Sequence, residues 1–180
     1  MDMYKLEFTT LQNGILRLLC IKAGTTMNQR EAAGILKVSP TAIAKATPLL
    51  EKKGLIKTAK HKTMNLISIE LNRDNPKAIA LKRTENLKMI YESGLIRHLE
   101  EKFPGSAIIL FGSYSRGEDT ARSDIDLAII DAEKEIKLAE YEKLLERTIR
   151  LNFYKALGKI DKNLQENILN GITLAGTIEL

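Results

Sequence analysis

The chain has 180 residues, 44% of them hydrophobic and 28% charged. That is the make-up of a folded protein with one domain of average size or two small ones, and it excludes disordered and fibrous classes. The opening from Met1 to Glu7 has no cationic start followed by an apolar run, and nowhere do ~18 apolar residues follow one another, so no export or membrane role is expected and the location should be cytoplasmic. The net charge of +5 is unevenly spread: residues 1–71 hold 11 Lys/Arg against 5 Asp/Glu, and residues 72–180 hold 17 against 18. A polyanionic partner would therefore meet the N-terminal part, although a solvated lysine-rich surface accounts for the charge equally well. The single cysteine, Cys20, cannot close an internal disulfide, and its apolar helical surroundings suit a core thiol.

In chain order, Leu11, Ile15, Leu18, Leu19 and Ile21 to Ala23 recur at helical spacing, and Gly24 ends that helix. Thr25, Thr26 and Asn28 are candidate caps for a second helix that turns Ala32, Ala33, Ile35 and Leu36 inward. Ser39 as N-cap and Pro40 in the first turn open a third helix, to about Lys53, with Ile43, Ala46 and Leu50 on its core face. Pro48 lies inside that helix and predicts a kink or an early end, since it cannot donate to the carbonyl of Ala44. Leu55-Ile56, the basic turn Lys60-His61-Lys62-Thr63, and the alternation of Ile67, Ile69 and Leu71 then predict a β-hairpin.

Asn72-Arg73-Asp74-Asn75-Pro76 has the polarity and the proline of a linker. Residues 77–103 are helical in pattern, with a break near Ser93-Gly94. Beyond them, Ala107 to Phe111, Ile125 to Ile130 and Thr148 to Phe153 predict strands, and Glu135 to Glu146 and Asp161 to Leu169 predict helices.

Three short helices followed by a hairpin is the order of a winged helix-turn-helix. The stretch Ala33-x-x-Leu36-x-Val38-Ser39, Ile43, and Leu50-Glu51-x-x-Gly54-Leu55-Ile56 resembles winged-helix regulators of the antibiotic-resistance and metal-sensor type. That resemblance implies a third helix whose Ser39, Thr41, Ala42 and Lys45 approach base edges of duplex DNA, and a wing whose Lys57, Lys60, His61 and Lys62 approach phosphates. A homodimer reading two half-sites would follow, while a protein-docking module would share the same packing pattern. His61, with His98 as the only other histidine, is expected to be an exposed residue and not a metal ligand.

The stretch with the most chemistry is Leu110-Phe111-Gly112-Ser113-Tyr114-Ser115-Arg116-Gly117, followed by Ser123-Asp124-Ile125-Asp126-Leu127. An apolar strand runs into a glycine that lets backbone approach a phosphate, and Ser113 adds a hydroxyl and an N–H. Asp124 and Asp126, two apart on a strand, turn both carboxylates to one face, where paired oxygens suit Mg2+.

These residues resemble the nucleotidyltransferase superfamily related to DNA polymerase beta, in particular its minimal prokaryotic branch, firmly over residues 105–131 and loosely beyond. The resemblance implies transfer of a nucleoside monophosphate from a nucleoside triphosphate to a hydroxyl, with Gly112, Ser113 and Arg116 at the nucleotide and Asp124 and Asp126 as catalytic metal ligands. It also implies a third carboxylate on a later strand, and in Thr148 to Tyr154 the expected position is filled by Asn152, an amide that offers a metal one neutral oxygen. Asp131, past the end of its strand, and Asp161, which suits a helix N-cap, are the alternatives. The expected architecture is α/β (α+β): a winged helix over residues 1–72, a connecting helical segment over 73–104, and a nucleotidyltransferase-like domain with a mixed sheet over 105–180. Three functions stay open. One is a magnesium-dependent nucleotidyltransferase with a DNA-binding winged helix. The others are a DNA-binding regulator whose nucleotide domain is catalytically degenerate, and an antitoxin-like protein that acts through a partner protein.

Overall fold

A computed structural model describes residues 7–61, 66–132 and 136–178 of the chain. It divides into two compact units, Met1–Lys82 and Arg83–Leu180. The boundary falls within a single helix, Pro76–Glu92, later than the polar stretch at residues 72–76.

In the first unit, helix α1 (Thr10–Ile21) is opened by a capping box: the amide N–H of Gln12 donates to Thr9 Oγ1 at 3.2 Å, and that of Thr9 donates to Gln12 Oε1 at 2.9 Å. Strand β1 (Met27–Asn28) leads straight into α2 (Gln29–Leu36), where Asn28 both caps the helix and forms a second box with Glu31. Helix α3 (Pro40–Lys52) has Ser39 as its cap, with the Ala42 N–H donating to Ser39 Oγ at 3.1 Å. The early end expected at Pro48 does not occur, because α3 runs on through that residue. The Ala44 carbonyl, denied a donor by the proline, receives the Thr47 hydroxyl at 3.5 Å, and the buried Gln12 amide donates to the next turn at Ala46 O, 3.3 Å away.

Strands β2 (Ile56–Lys60) and β3 (Ile67–Leu71) form the predicted antiparallel hairpin, and β1 adds on the far side of β3 to give the order β1-β3-β2. Two residues of strand are too short to leave a period in sequence, so β1 is visible only through its partner. This is a winged helix-turn-helix, packed around Ile15, Leu19, Cys20, Ala32, Ile43, Leu50, Leu55 and Ile69, all buried. Of the residues expected inside, Ile35 is exposed, and so is Ile67 at the start of its strand, while Ile69 and Leu71 on the same face are buried.

The second unit takes in the rest of α4 (Pro76–Glu92), then α5 (Leu95–Lys102) after the break at Gly94. Its sheet has the order β6-β5-β4-β7: β4 (Ala107–Phe111), β5 (Ile125–Ile130), β6 (Ile149–Tyr154) and β7 (Ile172–Ala175). Pairing is parallel between β5 and β6 and antiparallel elsewhere, so the sheet is mixed. Helix α6 (Gly112–Arg116) follows β4 directly, α7 (Ala139–Leu145) is shorter than the predicted helix whose start at residue 135 lies outside the described residues, and α8 (Lys162–Leu169) is N-capped by Asp161 through the Asn163 and Leu164 amides. Strand β7 went unpredicted. It lies against β4 because Gly171 brings the chain so close that a Cβ there would sit 2.4 Å from Leu110 O.

One face of the sheet is wholly apolar, with Ile108, Leu110, Ile125, Leu127 and Ile129 buried. The opposite face divides along the strands. Ile109, Phe111 and Ala128 pack with Leu157 and Ile168, and where β5 and β6 begin the side chains become polar, with Asp126 and Arg150. The candidate site occupies that polar end. Among the described residues no helix is long and apolar enough to cross a membrane.

Candidate nucleotide site and nucleic-acid face

Gly112 stands where β4 ends and α6 begins, at φ +74°, a conformation that glycine adopts without penalty. Phe111 is in register with Asp126 on the neighbouring strand, which sets the glycine against that carboxylate: a Cβ on Gly112 would lie 2.8 Å from Asp126 Oδ2. Ser113 follows, half-buried, and no side chain caps the first turn of α6. The Ser115 hydroxyl donates to Gly112 O at 2.8 Å and stiffens the turn.

Asp124 comes one residue before β5 and Asp126 is its second residue, so the alternation of the strand sends Ile125 and Leu127 into the core and leaves both carboxylates half-buried on the polar face. The loop that delivers them is closed by Ser123, whose Oγ accepts the Thr120 N–H at 2.9 Å. It is also held from inside. Asp119 is fully buried, accepts from Asn86 Nδ2 at 2.7 Å and stands 3.6 Å from the Arg147 guanidinium, while the same Asn86 amide donates to Tyr114 O at 2.9 Å. These contacts fasten α4, α6, the loop and the entry to β6 to one another.

Strand β6 supplies the residue level with Asp126, and it is Arg150, not the expected Asn152. Asn152 is in register with Ala128, one step farther along the same face, and its amide donates to Leu127 O at 3.3 Å and Arg150 O at 3.4 Å. Register is not legible along the chain, because the parallel partner of a strand depends on where the crossover returns it. Arg150 Nη2 lies 2.7 Å from Asp124 Oδ2, a close charge-assisted pair. Burial raises the pKa of Asp126 above the ordinary aspartate value, with Arg150 opposing and Asp124 adding to the rise. Burial, with the charge of Asp126, also raises the pKa of Tyr154 on β6.

Arg116 turns to Glu118 at 2.7 Å and to Asn167 of α8 at 3.2 Å, rather than pairing with either aspartate. Asp131 lies past the opposite end of β5 at φ +65°, and Asp161 is occupied as a helix cap. Two carboxylates, with the phosphates of a nucleotide, make a donor set that fits one magnesium ion. Among the described residues no three His, Cys, Asp or Glu side chains converge on one point, so the two aspartates are the carboxylates this site offers. Beside Asp124 a pocket of 470 Å³ opens, lined by Arg122 and Lys143 among others.

In the first unit the exposed face of α3 carries Thr41, Ala44 and Lys45, with Ala42 half-buried and the Ser39 hydroxyl spent on its cap. A groove of 270 Å³ runs along it, bounded by Gln29 and Arg30 at the start of α2 and by Leu66 and Ile67 of the hairpin. Arg30 has no periodic signature and was missed in sequence; only the fold sets it beside α3. On the wing, Lys60 and His61 are exposed, Lys57 pairs with Asp74 at 2.5 Å, and Lys62 lies outside the described residues. The pairing raises the pKa of Lys57 and lowers that of Asp74.

Residues 92–171, which include the glycine turn and the strand-borne aspartate pair, match the model of the nucleotidyltransferase domain family. A protein of Methanocaldococcus jannaschii named as a candidate protein adenylyltransferase is 43% identical over 49 residues, 27% of this chain and 49% of its own, so the match spans about half the length of that relative. Among solved structures, the zinc-responsive MarR-family member ZitR of Lactococcus lactis aligns over 57% of this chain and 68% of its own, at 23% identity and a TM-score of 0.41, and two of the similar ZitR structures are complexes with DNA. The adhesin competence repressor AdcR of Streptococcus pyogenes aligns over 54% and 69%, at 21% identity and a TM-score of 0.42.

Proposed function

We propose that the second unit binds a nucleoside triphosphate and transfers its nucleoside monophosphate to a hydroxyl, the acceptor being a protein side chain, as the name of the Methanocaldococcus relative suggests. The observation that carries this is Gly112, held at a left-handed φ with its Cα against Asp126, which joins a phosphate turn to a pair of carboxylates on one face. In the transfer, the acceptor oxygen forms a bond to the α-phosphorus, the bond to the pyrophosphate oxygen breaks, pyrophosphate leaves and the acceptor proton is released to water. Gly112 and Ser113 bring backbone and hydroxyl to the phosphates, and Asp124 and Asp126 would hold one magnesium ion, which supplies charge neutralisation on the phosphate oxygens. The buried Asn86–Asp119–Arg147 contacts keep the loop between these two parts in place, so that little reorganisation accompanies binding.

The test is to incubate the full chain with labelled triphosphates, magnesium and candidate partner proteins, and to measure intact masses. Addition of a nucleoside monophosphate to chain or partner is the expected result, and absence of any triphosphate binding by calorimetry would overturn it. A nucleotide-binding regulator without transfer is a second reading, favoured by the Arg150–Asp124 pair, which occupies a carboxylate edge that chemistry would use. It expects binding with no mass change.

For the first unit the same proposal includes duplex DNA, with α3 in the major groove. It is supported by the surplus of basic residues over positions 1–71 and by an exposed α3 face that presents Thr41 and Lys45 beside Arg30. The full chain should shift duplex DNA at low salt and release it as salt rises.

A further inference from the structure

The residue level with Asp126 across the parallel pair is a cation, and it is already seated on the other aspartate: Arg150 Nη2 is 2.7 Å from Asp124 Oδ2, with the Arg150 side chain 66% exposed and that of Asp124 26%. Side chains in register on adjacent parallel strands leave the sheet on the same side, so Arg150, Asp124 and Asp126 share one small polar surface. Two carboxylates and one guanidinium leave a single uncompensated negative charge there. One divalent cation satisfies that surface. A second would have to displace the guanidinium from Asp124 and then rest beside it, with like charges a few ångströms apart and no third carboxylate among the described residues to offset them. The guanidinium, by contrast, is permanently charged, cannot ligate a metal, and presents a fork of N–H donors matched to phosphate oxygens.

We propose that Arg150 is a resident cation of the nucleotide site: it holds the Asp124 carboxylate edge and turns its remaining donors to the triphosphate, so that the chain binds a nucleoside triphosphate with one divalent cation instead of two. This rests on the nucleotide-site reading above. Because part of the counter-charge is built into the protein, the site keeps measurable affinity for a triphosphate when no metal is present. Half of the task usually given to metal ions is thereby fixed in sequence at one position.

The test uses the full chain, with ATP and a non-hydrolysable α,β-methylene analogue as probes. Mn2+ bound per chain in the presence of the analogue is counted from the loss of the free-ion paramagnetic resonance signal, and ATP affinity is measured calorimetrically with a chelator present. Wild type is expected to take up one Mn2+ and to bind ATP under chelator. Arg150→Gln should lose at least about tenfold of that metal-free affinity, as removal of a hydrogen bond between ionised partners implies, and Arg150→Lys should retain most of it. Arg150→Asp should take up two Mn2+. The exposed position of the side chain spares the core, and matching melting curves check that each variant is folded. Two Mn2+ in wild type, or metal-free ATP affinity untouched by Arg150→Gln, overturns the proposal while leaving the nucleotide site standing. No binding of ATP or analogue by wild type, with or without Mn2+, overturns the site and this proposal together.

Discussion

Gly112→Ala is the most direct probe of how the phosphate turn and the aspartate pair depend on each other. Two costs arise from the geometry. The φ of +74° is left-handed, and an alanine held there is strained by ~1–2 kcal/mol, partly offset by ~0.4–1 kcal/mol because alanine loses less freedom than glycine on folding. The new methyl would also stand 2.8 Å from Asp126 Oδ2, closer than any real Cβ contact, so the carboxylate must move by several tenths of an ångström or the turn must open. A net loss of about 1 kcal/mol lowers the melting temperature by ~4–8 °C in a unit of this size, and nucleotide affinity should fall along with it, since both partners of the turn are displaced. A double-mutant cycle separates the two costs. In an Asp126→Ala background the backbone strain stays and the clash goes, so Gly112→Ala should cost measurably less there, as read by denaturant midpoints with unchanged slopes. Equal costs in both backgrounds would show that the glycine is not pressed against the carboxylate and would refute the geometry on which the site rests.

Asp126 should also show itself in the pH dependence of stability. Its folded-state pKa is raised, chiefly by burial, so the folded chain holds that proton more tightly than the unfolded one; the stability it contributes is complete below the unfolded-state pKa and is lost as pH rises through the folded-state pKa. Asp126→Asn should therefore gain melting temperature relative to wild type at neutral pH and show a smaller gain in acid, and a pH-independent difference would argue that burial is not perturbing the group. Asp119→Leu removes the shared partner of two buried groups, Asn86 and Arg147, and should destabilise the second unit by ~3–5 kcal/mol in urea unfolding, while a loss below ~1 kcal/mol would mean the ion pair contributes little to holding the loop. For DNA, Lys45→Ala and Arg30→Ala in the full chain should each flatten the dependence of log affinity on log salt by about 0.9, whereas Lys57→Ala, already paired to Asp74, should change it less. Equal slopes for all three would remove α3 and the start of α2 from the interface.

Local order alone carried a good deal of this protein. Ser39-Pro40 opens α3, Asn28 caps α2, Gly94 divides α4 from α5 and Asp161 caps α8, each a matter of backbone donors satisfied within a few residues and therefore legible along the chain. The Asp124-x-Asp126 alternation and the preceding Gly112-Ser113 could likewise be read directly, because a strand places residues two apart on one face whatever surrounds it. What lay beyond reach depended on partners distant in sequence. Strand β1 exists only through β3, and β7 only through β4 and the close approach at Gly171. Pro48 is tolerated inside α3, where Thr47 serves the carbonyl that the proline leaves without its donor. The exchange of Arg150 for Asn152 beside Asp126 turns on the register of two parallel strands joined by a long crossover, and a shift of two residues there keeps every side chain on its face while changing which one meets the carboxylates. Hydrophobic alternation cannot distinguish such registers; only the closing of β6 against β5 decides that the neighbour of the aspartate pair is a cation.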